Sequence, residues 1–80
     1  MPPLETVDLR LLRVFVAVVE AGGFAAAQAR LDLSLATVSN HMAALEARLG
    51  LRLCRRGRAG FALTEAGETV YAEARRLLGA

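Results

Sequence analysis

Eighty residues, 55% of them hydrophobic, with a net charge of +2, suffice for one small core of three or four helices and leave no room for a second domain within this chain. A single cysteine, Cys54, excludes an internal disulfide and suits a reducing compartment. Met1–Glu5 lacks the basic and apolar regions of a secretory signal, and the most apolar run, Val14–Val19, is far too short for a bilayer, so a cytoplasmic protein without membrane contact is expected. The apolar fraction is slightly more than a lone small monomer can hide, which predicts a partner.

Asp8 is placed to cap a first helix, Leu9–Ala21, because its carboxylate can accept the unpaired amides of the first turn. Gly22-Gly23 ends it, since glycine takes the left-handed conformation of a helix C-terminus cheaply. Leu9, Leu12, Phe15, Val16 and Val19 follow helical spacing and predict the buried stripe. Leu11 and Val18 fall to its side, as surface for a second contact or for packing within the domain.

A short second helix follows at Phe24–Leu31, where Ala25, Ala26, Ala27 and Ala29 allow close approach of another helix. Asp32-Leu33-Ser34 is the turn, and Ser34 is placed to cap a third helix, Leu35–Leu49, closed by Gly50. Val38, Met42, Leu45 and Leu49 form its apolar stripe, with Thr37, Asn40, His41 and Ala44 on other faces. The period then changes. Leu51-Arg52-Leu53 and Phe61-Ala62-Leu63 alternate as strands do, around a tip at Arg56–Gly60, which predicts a β-hairpin with a bent basic loop. Thr64 can cap a last helix running towards Leu78, with Glu65 and Glu68 in its first turn favouring the dipole and Arg75-Arg76 near its end.

Charge is concentrated rather than spread. From Ser34 to Arg58 five arginines (Arg48, Arg52, Arg55, Arg56, Arg58) face one acid, Glu46, a net +4. Such a block suits phosphate contact, or it is a solvated loop. Arg48 and Glu46 read as ordinary helix-surface charges.

Helix, short helix, three-residue turn, helix, basic hairpin, helix is the order of a mainly α winged helix-turn-helix: a three-helix core, a hairpin wing and a C-terminal helix. The major groove of B-DNA admits one α-helix, and each base pair presents a distinct donor and acceptor pattern there. The second helix of the pair enters by its N-terminal end, and a basic loop beside it reaches phosphates or the neighbouring minor groove.

The run Asp8-Leu9-Arg10-Leu11-Leu12-Arg13-Val14-Phe15, then Gly23-Phe24, Ala27, Leu31, Ser34, Val38-Ser39, Leu45-Glu46, Leu49-Gly50, Leu53, Arg56 and Leu63-Thr64-Glu65-Ala66-Gly67 resembles the N-terminal domain of LysR-type transcriptional regulators, in order and without gaps. The resemblance implies a homodimer that reads a palindromic operator in double-stranded DNA, with helix 35–49 in the major groove and the 55–60 wing on backbone or minor groove. It divides the chain into a winged domain, 1–63, and a linker and dimerisation helix, 64–80, whose seam would be Ala66, Val70, Ala74 and Leu77 with Leu78. It places a small-molecule effector in a C-terminal domain beyond this chain. Leu35 stands where the family commonly has a base-contacting Gln, Ala36 where Pro is common, and Asn40 where Arg is frequent. Gly23 and Ala25 replace the usual Ser and Thr around Phe24, and Cys54 replaces a Phe.

The candidate DNA contacts are Ser34, Leu35, Ala36, Thr37, Ser39, Asn40 and His41 at the leading end of the third helix, and Arg55, Arg56 and Arg58 on the wing. Asn pairs well with adenine edges; on an arbitrary helix the same polar residues are plain solvent-facing positions. Leu35 touches a thymine methyl or merely covers the turn. His41 has no second histidine beside it, so a phosphate or base-edge contact is expected in preference to metal ligation. Cys54 reads as a small core residue, since redox sensing needs an exposed thiolate and a resolving partner.

No nucleophile–base pair, metal cluster or phosphate-cradling glycine loop appears in the sequence, so neither catalysis nor a cofactor is expected. Two rival readings stand beside the first. One is a winged-helix module that holds a protein partner; the other is the similar DNA-binding domain of a molybdate-sensor type of regulator.

Overall fold

The computed structural model describes residues 2–57 and 60–79. A 3-10 turn, Leu4–Thr6, precedes α1 (Leu9–Ala21), α2 (Phe24–Leu31), α3 (Leu35–Leu49), β1 (Cys54–Gly57), β2 (Gly60–Leu63) and α4 (Glu65–Leu77). The four helices fall where spacing and punctuation put them, and a hairpin lies between the third and the fourth. The caps act as expected. Asp8 accepts the Arg10 N–H at 2.9 Å, Ser34 Oγ accepts the Thr37 N–H at 3.2 Å, and Thr64 Oγ1 accepts the Gly67 N–H at 2.9 Å. Gly22 ends α1 at φ 90, and Asp32 takes φ 54 at the end of α2, where a short polar side chain tolerates the left-handed region and the turn can be tight.

One core unites the elements. Leu12, Phe15 and Val18 from α1, Ala27 from α2, Val38, Met42 and Leu45 from α3, Leu53, and Val70 and Ala74 from α4 are all buried in it, with Leu4 and Val7 closing it from the N-terminal turn. Phe15 meets Tyr71 edge-on, ring centroids 6.4 Å apart, at the contact of α1 with α4.

Three expectations need correction. The stripe of α1 is rotated from the one counted off Leu9. Leu9 is 49% exposed, while Val14 and Val18 are buried. The cause is that α1 packs against α2, α3 and α4, so it buries a wider arc than a surface helix resting on one neighbour.

The first strand lies later than Leu51–Leu53. The buried Leu53 donates its N–H to the Glu46 carboxylate at 2.7 Å and not to a strand partner, while its carbonyl still accepts the Thr64 N–H at 3.0 Å in the ribbon's register, so regular pairing stops there. The ladder therefore starts at Cys54↔Leu63 and continues through Arg55↔Ala62 and Arg56↔Phe61 to Gly57↔Gly60, which places Arg56, Gly57 and Gly60 in strands and not in the tip.

On α4, Val70 and Ala74, read as part of a seam between protomers, are 1% and 0% exposed and face this domain's own core. Gly67 lets α4 come that close. A Cβ there would fall on the Leu53 carbonyl oxygen. Ala66, Leu77 and Leu78 are half-buried beside that line.

Candidate nucleic-acid interface

Helix α3 turns Val38, Met42, Leu45 and Leu49 inwards, which fixes the directions of all its other side chains. At 100° per residue the outward face carries Ala36, Asn40, Ala43 and Ala47, all exposed. Ser39 and Glu46 lie on the flank towards the wing; Thr37 and His41 lie on the opposite flank and are half-buried. The leading end therefore does not protrude as a continuous block from Thr37 to His41. Val38 is inside the core, and Asn40 alone among these polar residues is exposed. His41 Nδ1 is buried with no hydrogen-bond partner among the described residues.

The first turn of α3 is largely satisfied internally. Ser34 Oγ donates to Thr37 Oγ1 at 3.0 Å while accepting the Thr37 N–H. Leu35 and Ala36 are exposed at this end, Leu35 at 42%.

The pleat of the wing separates its two described arginines. Cys54, Arg56, Phe61 and Leu63 share the face towards the helices, whereas Arg55 and Ala62 take the outer face. Arg56 is exposed, and its guanidinium lies 4.1 Å above the Phe24 ring, itself 6.3 Å from Phe61 between centroids. A cation held over an aromatic face in this way sits at the N-terminus of α2, and a guanidinium so placed has N–H donors at its rim that can meet an anion. Arg58, the third wing candidate, lies outside the described residues.

Between α3 and β1 a cleft of about 380 Å³ is lined by Phe24, Ser39, Met42, Glu46, Arg52 and Arg56, among others. Glu46 is no ordinary surface charge. Its carboxylate holds the strand entering the wing, through the Leu53 N–H. The signal for this role was its isolation, as one acid in a basic segment at the last turn of a helix. Cys54 lies at the cleft's inner edge, and burial, with the Glu46 carboxylate second, pushes its thiol above the ordinary value; Arg56 and Arg52 offset part of that.

Among the described residues no helix is long and apolar enough to cross a membrane, and no three His, Cys, Asp or Glu gather to hold a metal.

The sequence pattern of the bacterial regulatory helix-turn-helix proteins of the lysR family matches residues 9–68. The transcriptional activator BauR of Pseudomonas aeruginosa is 56% identical over 73 residues, which are 91% of this chain and 24% of BauR. The regulator TcbR of a Pseudomonas species is 45% identical over 71 residues, 89% of this chain and 24% of TcbR. The chain thus spans about a quarter of the length of these relatives. Among solved structures, the CbnR DNA-binding domain on DNA superposes with a TM-score of 0.86 at 44% identity, covering 91% of this chain and 84% of that one. The BenM DNA-binding domain on catB site 1 DNA superposes with a TM-score of 0.87 at 37% identity, covering 91% and 81%. Four helices and an antiparallel hairpin, the arrangement of the winged DNA-binding domains of LysR regulators, are shared in order and in space. The chain belongs to the lysR family of bacterial regulatory helix-turn-helix proteins.

Proposed function

We propose that this chain is the operator-reading domain of a cytoplasmic transcription regulator, with the outward face of α3 in the major groove and the arginines of the wing on the adjacent backbone or minor groove. The observation that carries it is the exposed Asn40 on the outward face of α3, a helix whose Ser39 flank shares a cleft with Arg56, the wing arginine held over Phe24. Asn40 supplies base-edge hydrogen bonds, and the arginines supply phosphate contacts that set register. Ser34, Leu35, Ala36, Thr37, Ser39 and His41 surround Asn40 as the remainder of the reading end, and Arg58, outside the described residues, is a further candidate for backbone contact. Two solved relatives, the CbnR and BenM domains, are each held on DNA with this same fold.

In this reading the active unit is a homodimer on a palindromic site. Val70 and Ala74 being committed to the core, dimerisation along α4 falls to Ala66, Leu77 and the C-cap Leu78. Effector sensing belongs to a further domain, since the relatives are about four times as long. The domain itself binds and does not catalyse, and it needs no cofactor.

The test is selection of bound duplexes from a random pool, followed by anisotropy titration of the selected duplex at rising salt. The expected result is a two-fold symmetric consensus, bound more tightly than random duplex, with affinity falling steeply as salt rises. No binding to any duplex at low salt would favour the protein-partner module instead.

A further inference from the structure

Leu35 is one of two large apolar side chains left exposed among the described residues, and it opens the helix assigned above to the major groove. Burial in the core is nearly complete, so an exposed leucine here is not spillover from loose packing. The hydroxyls flanking it are turned towards each other in the Ser34–Thr37 pair, and Ala36 has no polar side-chain atom. Beside Leu35 lies a shallow depression of about 420 Å³, walled by Gly23, Ala25, Ala26, Phe61 and Leu35 with Arg56 at its side, and no carboxylate lines it. A mostly carbon surface with a guanidinium beside it suits a polyanion that offers an apolar group. In the major groove that group is the C5-methyl of thymine, which has no counterpart on the other bases of DNA.

We propose that Leu35 is a specificity-determining residue that selects a thymine through its methyl group. The inference rests on the operator-reading function above and adds the chemistry of one base position. The base pair facing the first turn of α3 is chosen by apolar contact, whereas the pair facing Asn40, more than a turn later, is chosen by hydrogen bonding. Glutamine, common at this place in the family pattern, would read a base edge by its amide and so favour another base.

The test uses the selected duplex with each half-site thymine replaced in turn by deoxyuridine, which deletes the methyl and leaves the hydrogen-bonding edge unchanged. The parent chain should lose about three- to five-fold in affinity at one position, the worth of one buried methyl group. Leu35→Ala should bind the parent duplex more weakly and be indifferent to that same replacement. Leu35 is exposed, so the variant keeps its fold, which its circular dichroism would show. The proposal is overturned if no thymine responds, or if Leu35→Ala feels the uracil replacement as strongly as the parent. Equal affinity for selected and random duplex would remove the operator reading along with it; specific binding that ignores uracil removes this proposal alone.

Discussion

The backbone N–H of Leu53 donates to the Glu46 carboxylate at 2.7 Å, and through that bond the last turn of α3 holds the segment leading into the strand that carries Arg55 and Arg56. The reading helix and the wing are thereby fixed to each other by one charged group on the protein side of the interface. Glu46→Ala leaves a part-buried amide without its acceptor and should cost about 1–2 kcal/mol in urea unfolding, whereas Glu46→Gln, which keeps an oxygen acceptor, should lose less. Equal stability of both variants and the parent would show that the bond holds nothing.

A second prediction concerns the seat of α4. Gly67 faces the Leu53 carbonyl, the same group that accepts the Thr64 N–H, and the Thr64 hydroxyl reaches the Arg52 carbonyl at 2.5 Å. Gly67→Ala puts a methyl into backbone that cannot yield, so α4 must lift from the core that Val70 and Ala74 fill. The expected loss is about 2 kcal/mol or more, despite alanine's better helix propensity. A melting temperature at or above the parent's would contradict the packing described here.

Glu20 gathers three partners from two other helices. Its carboxylate lies 3.8 Å from Arg30 and 3.5 Å from Arg75, and it accepts the Tyr71 hydroxyl at 3.0 Å. The cluster is half in solvent, where screening leaves exposed pairs little net worth. Glu20→Gln should therefore change stability by less than about 1 kcal/mol, and less still at raised salt. A larger loss that persists in high salt would mean that the network, rather than the apolar contacts beneath it, sets the position of α4.

Cys54 provides a chemical check. Burial, then Glu46, favours its neutral thiol, so the folded protein should react slowly with an alkylating reagent near neutral pH and fast once unfolded. The sign of the linkage follows. A thiol raised above its ordinary 9.0 contributes stability that is intact below that pH and declines as pH climbs from there towards the folded value. Rapid labelling under native conditions would contradict both points.

Much of this was legible in the sequence, because the punctuation is local. Asp8, Ser34 and Thr64 are caps whose effect reaches two or three residues on, and the bounds of α1 and α3 and the start of α4 follow from them and from Gly22 and Gly50. Contacts across the fold were not legible. Nothing within Leu51–Leu53 says that the Leu53 N–H serves Glu46 and not a strand partner, and the spacing of Val70 and Ala74 is the same whether the stripe meets this domain or a second one. At the interface, residue types marked the right helix and wing. Which of Thr37, Ser39, Asn40 and His41 faces outwards depended on how α3 rolls onto the core, a matter of tertiary packing.

The most direct measurement is anisotropy titration of Asn40→Ala and Arg56→Ala against the selected duplex and a random one, over a series of salt concentrations. Asn40→Ala should lose about five- to a hundred-fold on the selected duplex and almost nothing on the random one, because it removes a base contact. Arg56→Ala should weaken both alike and lower the salt slope by about one, the signature of a lost phosphate contact. If both variants bind both duplexes as the parent does, the outward face of α3 and the wing are not where this protein meets DNA.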